Sequence, residues 1–184
     1  EEISGDNFSA RELTCGHYLF ALSDGMGSGW QANRESETVL ELLEQFAEAQ
    51  FTMEVALRLM NAAMVFGGSQ ERYSTLDVCA VDGYTGICEF YKVENLPIGA
   101  AAQLDTMPWR GHLEDGDILV MITDGVLEYL KGDRPADILG EIICAIREPD
   151  PERFSKELLR EVLARTEGKI YDDMTVLTIR AWET

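Results

Sequence analysis

Helix-like and strand-like stretches follow one another here in blocks instead of regular strand-helix-strand units. That order predicts an α+β fold in four layers, helix/sheet/sheet/helix, with two antiparallel sheets inside. Three observations carry the prediction. Apolar runs flank tight turns, as antiparallel pairing requires. Segments with helical spacing come in pairs, two early and two late. The length, 184 residues, suits one domain, and no Pro/Gly/Ser-rich stretch divides it, so residues 1–184 read as a single domain without internal repeats.

The first clear strand signal is the apolar run Tyr18-Leu19-Phe20-Ala21-Leu22, which ends in the glycine-rich turn Ser23-Asp24-Gly25-Met26-Gly27-Ser28-Gly29. Ser28 and Gln31 have capping-box spacing, and Val39, Leu40, Leu42, Leu43 and Phe46 then recur at helical intervals. A second helix is predicted from Val55, Ala56, Leu59, Met60, Ala63 and Met64, stopping near Gly67-Gly68. The period then changes. Thr75–Val81 and Ile87–Val93 flank Asp82-Gly83-Tyr84-Thr85-Gly86 and predict a hairpin. Glu114-Asp115-Gly116-Asp117 predicts another turn, between Met107–Leu113 and Ile118–Ile122, and places His112 in a hairpin. The run to Ile122 again leads into an Asp-Gly step, Asp124-Gly125. Helices over 138–146 and 151–165 and a last strand over Met174–Ile179 complete the pattern.

Charge narrows the function. With 34 Asp+Glu against 15 Lys+Arg the formal net charge is −19, which disfavours nucleic acid and anionic membrane surfaces as partners. A phosphorylated substrate would also be repelled unless bound cations reversed the local sign. Cys15, Cys79, Cys88 and Cys144 show no CxxC spacing and are expected as reduced core residues. No stretch is long and apolar enough to span a bilayer, and Glu1-Glu2-Ile3 does not open a signal peptide. The expectation is a soluble cytoplasmic domain without direct membrane contact, compatible with a fragment of a longer, membrane-anchored protein.

Asp6 follows Ser4-Gly5, Asp24 and Asp124 each follow an apolar run and precede Gly, and Asp172-Asp173 precedes the final strand. Carboxylates at several strand edges can converge on one cleft, and oxygen-only ligands suit hard cations such as Mg²⁺ or Mn²⁺, whereas zinc favours histidine or cysteine. An isolated Asp-Gly is ordinarily a turn, as expected at Asp82-Gly83 and Asp115-Gly116. Asp24 and Asp124 differ in their preceding apolar runs, because a carboxylate buried at a core strand's end is costly without a cation or a positive partner. His17 and His112 are expected to be structural or superficial. No Asp-x-Asp-x-Thr run, Cys-x₅-Arg loop or GxxxxGK[ST] cradle occurs, and Ser28 misses the register of a G-x-S-x-G nucleophile.

Ser4-Gly5-Asp6, Ser23-Asp24-Gly25-Met26-Gly27, Tyr73-Ser74-Thr75-Leu76-Asp77, Asn95-Leu96-Pro97-Ile98-Gly99, Thr123-Asp124-Gly125 and Asp172-Asp173-Met174-Thr175-Val176 form an ordered set spanning nearly the whole chain. In this the chain resembles the metal-dependent phosphatases of the PPM (PP2C-like) group and, within it, the phosphatase domains of the stage II sporulation protein E branch. The resemblance implies a β-sandwich flanked by helix pairs, a pair of Mn²⁺ or Mg²⁺ ions, and in-line attack of activated water on a phosphoserine. It implies that Asp24 bridges the two cations, that Asp6 and the Gly25 carbonyl serve one of them, and that Asp124 and Asp172 serve the other, with Asp173 in support. The substrate it implies is a phosphorylated anti-anti-sigma protein in sporulation sigma-factor control.

The chain departs from the family pattern in three places. Gly5 stands where many relatives have Glu, the upstream phosphate-binding arginine of relatives is absent, and Lys92-Val93 runs directly into Glu94-Asn95 where relatives carry a further loop and strand. A segment of roughly twenty residues is thus expected to be missing between Val93 and Glu94. Two other readings stand beside the constitutive enzyme. One is a weak or inactive interaction domain of the same fold, and the other is an enzyme regulated by contacts through the helices of residues 30–66.

Overall fold

In a computed structural model the described residues are 3–67, 73–92, 97–100, 107–130, 133–166 and 172–182. The expected segment at Val93–Glu94, with Asn95 and Leu96 of the Asn95–Gly99 motif, lies outside them. The chain resolves into two compact units, Glu1–Leu113 and Glu114–Thr184.

In the first unit β1 (Asp6–Glu12), β2 (His17–Asp24), β3 (Asp77–Asp82), β4 (Ile87–Lys92) and β5 (Trp109–His112) form one antiparallel sheet in sequence order. The β3–β4 hairpin is the predicted one: the Asp82 carboxylate accepts from the amides of Tyr84 and Thr85 at 2.9 and 3.2 Å, an Asx turn that holds its pKa below the usual carboxylate range. Helix α1 (Trp30–Glu48) lays Ala32, Ser36, Val39, Leu40, Leu43 and Ala47 against the sheet, a stripe at spacings of three and four. Val39, Leu40, Leu43 and Ala47, with Leu57 and Met60 of α2 (Met53–Gly67) and Leu19, Ala21, Leu76, Val78, Tyr91 and Ile98, make the unit's core.

Three expectations are corrected in this unit. Helix α1 begins after Gly29, which is its N-cap with φ +76° and offers no side chain, so the Ser28–Gln31 capping box does not form. His17 begins β2 instead of preceding a first strand, and it is exposed. His112, also exposed, ends β5, which pairs with β4 and not with the strand after the Glu114–Asp117 turn. That turn therefore connects two sheets and does not close a hairpin.

The second unit has a two-stranded antiparallel sheet, β6 (Ile118–Ile122) with β7 (Val176–Arg180), and helices α3 (Asp124–Glu128), α4 (Pro135–Ala145) and α5 (Pro151–Leu163). Helix α5 starts where the sequence signals it: Asp150 accepts from the Arg153 amide at 2.9 Å and Pro151 takes the first turn. Its buried stripe Phe154, Leu158 and Val162 joins Val126, Leu139, Ile142 and Ile146 in a second core, and Ile118, Val120, Ile122 and Val176 pack against it. Cys79 and Cys88 are buried and free, and burial, with Cys88 adding to it, pushes the Cys79 thiol up to about 12. Cys144 is exposed on α4, against expectation, and the Cys15 side chain lies outside the described residues.

Candidate metal centre

Asp6 and Asp24 stand directly opposite one another at the end of the β1–β2 ladder. Paired residues in an antiparallel ladder have Cα atoms roughly 4.5–5.5 Å apart and send their side chains to the same face. Asp6 is buried and Asp24 half-buried. Two carboxylates so placed repel one another, and a cation between them reverses that sign.

The backbone around the pair is packed to permit this. A Cβ on Gly5 would lie 3.3 Å from the Gly25 carbonyl oxygen, 3.4 Å from Asp24 Oδ1 and 3.2 Å from the Ala32 Cβ. Two candidate donor oxygens thus face the position of residue 5. Gly25 itself is needed for close approach, not for backbone handedness: a Cβ there would sit 1.9 Å from the Ala32 carbonyl oxygen, and the residue is not among those with positive φ.

Helix α1 grips the same turn. Asn33 Nδ2 donates to the Ser4 carbonyl at 2.8 Å, Ser36 Oγ donates to the Gly5 carbonyl at 2.5 Å, and Asn7 Nδ2 donates to Ser36 Oγ and to the Asn33 carbonyl at 2.9 and 3.0 Å. The Gly25 amide donates to the Gly5 carbonyl at 3.2 Å. Sequence reasoning missed Asn7, Asn33 and Ser36, since the partners lie 26 to 31 positions apart and no local pattern marks them.

The second unit repeats the packing device. Asp124 is the first residue of α3 and Gly125 follows, and a Cβ on Gly125 would lie 2.0 Å from the Asp173 carbonyl oxygen and 3.5 Å from the Asp172 Cβ. Asp172 is therefore carried close to the Asp124-Gly125 step. The Asp172 amide donates to the Tyr129 hydroxyl at 3.1 Å, and Thr123 ties the β6 end to the segment before β7 through its amide to the Thr175 carbonyl (3.1 Å) and its Oγ1 from the Thr175 amide (2.9 Å). Asp124, Asp172 and Asp173 are exposed. The expectation that Asp124 is costly because it ends a core strand is thus corrected: the strand stops at Ile122, and Asp124 opens a helix, where its charge complements the helix dipole.

The donors offered by Asp6, Asp24 and the Gly25 carbonyl, and by Asp124 and Asp172, are oxygens only, the chemistry that hard divalent cations select. Among the described residues no three His, Cys, Asp or Glu side chains stand together in a metal-holding group. The structure brings Asp6 to Asp24 within one unit and Asp172 to the Asp124-Gly125 step within the other. Among the described residues no helix is long and apolar enough to cross a membrane.

A family model described as stage II sporulation protein E (SpoIIE) matches residues 14–99 and 91–182. The stage II sporulation protein E of Bacillus subtilis is 32% identical to this chain over 197 residues, covering 97% of it and 24% of the relative, so the chain spans about a quarter of that protein. Among solved structures, the PP2C phosphatase domain of B. subtilis SpoIIE with a fragment of its regulatory domain matches with a TM-score of 0.88 at 32% identity, over 97% of this chain and 59% of that one. The same phosphatase domain presoaked with Mn matches at 29% identity and a TM-score of 0.60, over 99% and 87%. The fold is that of the PP2C phosphatase domains, and the chain belongs to the stage II sporulation protein E family.

Proposed function

We propose that residues 1–184 form one PP2C-like protein serine/threonine phosphatase domain whose aspartates hold two divalent cations, Mn²⁺ or Mg²⁺. The observation that carries the reading is the Asp6–Asp24 register pair, seated beside Gly25, where a side chain has no room, in a chain of this family. Asp24 would serve both cations, Asp6 and the Gly25 carbonyl would serve one of them, and Asp124 and Asp172 would serve the other, with Asp173 in support. When bound, such a pair supplies an activated water and neutralises charge on the phosphoryl oxygens. The chain's own part is orientation: Asn33, Ser36 and Asn7 fix the Ser4-Gly5 backbone, and Tyr129 and Thr123 fix the segment that carries Asp172.

The substrate we infer is a phosphorylated anti-anti-sigma protein in sporulation sigma-factor control, acted on by a cytoplasmic domain of a membrane-anchored parent. Regulation through α1 and α2 fits the direct packing of Ala32, Asn33 and Ser36 on the Gly5 and Gly25 backbone. The family match in two stretches, 14–99 and 91–182, supports a segment of relatives missing near Val93. Hydrolysis of a phosphoserine protein, beside a small aryl phosphate, in Mn²⁺, in Mg²⁺ and in EDTA tests the activity. Metal-dependent turnover that EDTA abolishes is expected; silence in every metal would leave an interaction domain.

A further inference from the structure

The turn that carries Asp24 is held from a second side, by residues to which the reading above gives no role. Beyond the β2–β3 ladder, Ser74 forms isolated antiparallel bridges with Gly25 on one side and with Ile98 on the other. Its hydroxyl is fully buried and donates to the Asp24 carbonyl at 2.7 Å, with Ser23 Oγ at 2.7 Å and the Thr75 carbonyl at 3.3 Å as its remaining neighbours. Ser23 Oγ lies within reach of both Ser74 Oγ (2.7 Å) and the Thr75 carbonyl (2.8 Å), and with Ser23 donating to Ser74 Oγ the single Ser74 proton goes to the Asp24 carbonyl.

Thr75 completes the hold: its amide donates to the Asp24 carbonyl at 2.8 Å, and its Oγ1 accepts from the Asp24 amide at 3.0 Å. The Asp24 carbonyl thus receives two donors, and the peptide plane shared by Asp24 and Gly25 is pinned. On the far side the Ser74 carbonyl accepts from the Ile98 amide at 2.9 Å, and the next amide, Gly99, donates to Asn61 Oδ1 of α2 at 2.9 Å. Asn61 and Ile98 are both buried.

We propose that Ser74 is a positioning residue for cation binding, its hydroxyl fixing the Asp24–Gly25 peptide so that the Asp24 carboxylate and the Gly25 carbonyl point together, and that Asn61 braces the strand segment behind it. The inference rests on the metal-binding reading. The physical case is that of a carbonyl in a half-buried turn: without the Ser74 hydroxyl the Asp24 carbonyl loses its 2.7 Å donor, and its peptide gains rotational freedom that cation binding must then remove.

The test is Mn²⁺ titration of the 184-residue chain by calorimetry, with thermal unfolding of the metal-free protein beside it, for wild type, Ser74→Ala, Ser23→Ala and Asp24→Ala. Ser23 is equally buried and in the same hydrogen-bond group, but its hydroxyl bonds Ser74 and Thr75 and not the Asp24 carbonyl, so its loss leaves the Ser74–Asp24 hydrogen bond in place. Ser74→Ala is expected to bind Mn²⁺ about fivefold more weakly, the worth of one hydrogen bond. Ser23→Ala is expected to bind like wild type while its melting temperature falls by a similar amount. If Ser74→Ala does not fold, Ser74→Cys, which keeps the volume and a weak donor, takes its place with a smaller loss in the same direction. Wild-type affinity in Ser74→Ala, or equal loss in Ser23→Ala, overturns the Ser74 role while Asp24→Ala still abolishes binding. Absence of Mn²⁺ uptake by wild type overturns the metal reading, and the Ser74 role with it.

Discussion

Alanine at Gly25 probes the seat of Asp24 while leaving every carboxylate in place. The added Cβ would stand 1.9 Å from the Ala32 carbonyl oxygen and 2.6 Å from its carbon, where ordinary C···O contact needs about 3.3 Å or more. Because both are backbone atoms, no side chain can swing away, and the turn and α1 must separate by roughly 1 Å or more. Overpacking of this kind costs about 1–3 kcal/mol, and the Ser36–Gly5 and Asn33–Ser4 hydrogen bonds weaken with it, so the expected loss is about 3 kcal/mol. Gly27 is the matched control. It has φ +99°, and an added Cβ there would meet nothing within 4 Å, so Gly27→Ala should cost only the left-handed backbone penalty of about 1–2 kcal/mol. Urea denaturation at about 25 °C measures both. A Gly25→Ala protein within about 0.5 kcal/mol of wild type, or less affected than Gly27→Ala, would refute the close approach of turn and helix.

Three further outcomes are expected. Gly125→Ala, whose Cβ would meet the Asp173 carbonyl oxygen at 2.0 Å, should destabilise by about 2–3 kcal/mol and lower the apparent affinity for activating metal, read from rate against Mn²⁺ concentration. Glu44 is raised by burial, but more than offset by Arg11 Nη2 at 2.9 Å and Ser9 Oγ at 2.6 Å, which hold its carboxyl below the usual range. Its stabilisation is therefore complete above the unfolded pKa of about 4.3 and is lost as pH falls through the lower folded value. Glu44→Gln should remove about 1 kcal/mol at about pH 7 and flatten the acid limb of a melting-temperature profile between about pH 5 and 3. Leu43→Ala, at a fully buried position on α1, should cost about 2–5 kcal/mol by denaturant titration.

The local signals that worked are those in which neighbours in sequence are neighbours in space. Asp82–Gly86 turned a hairpin, and the helix expected from residue 151 begins there, because each turn or cap closes within three or four residues. The signals that failed were also local, but were outcompeted. Ser28 and Gln31 had capping spacing, yet the chain leaves the Asp24 turn through two left-handed glycines, Gly27 and Gly29, and the helix starts one residue late. Strand β1, Asp-Asn-Phe-Ser-Ala-Arg-Glu, has two buried residues, Asp6 and Ser9, so no apolar alternation announced it. The four residues of β5 choose β4 over their sequence neighbour β6, a matter of sheet pairing that no turn residue encodes.

Among the candidate ligands, Asp24 and Asp124 were legible as carboxylates after apolar runs, Asp6 by its place after Ser4-Gly5 and Asp172 by its place before the last strand. Their supports were not. Ser36 reaches Gly5 across 31 positions and Ser74 reaches Asp24 across 50, and each is a common serine until the fold places it. The two glycines of the Asp-Gly steps show the same limit: the sequence marks them as turn formers, whereas the structure uses Gly25 and Gly125 to bring a backbone carbonyl within reach.

Metal stoichiometry, followed by Mn²⁺ electron paramagnetic resonance on wild type, Asp24→Ala and Asp124→Ala, tests the paired-cation centre most directly. About two ions per wild-type chain are predicted, with loss of both in Asp24→Ala and loss of one in Asp124→Ala. Equal uptake by all three proteins would contradict a centre built on these aspartates.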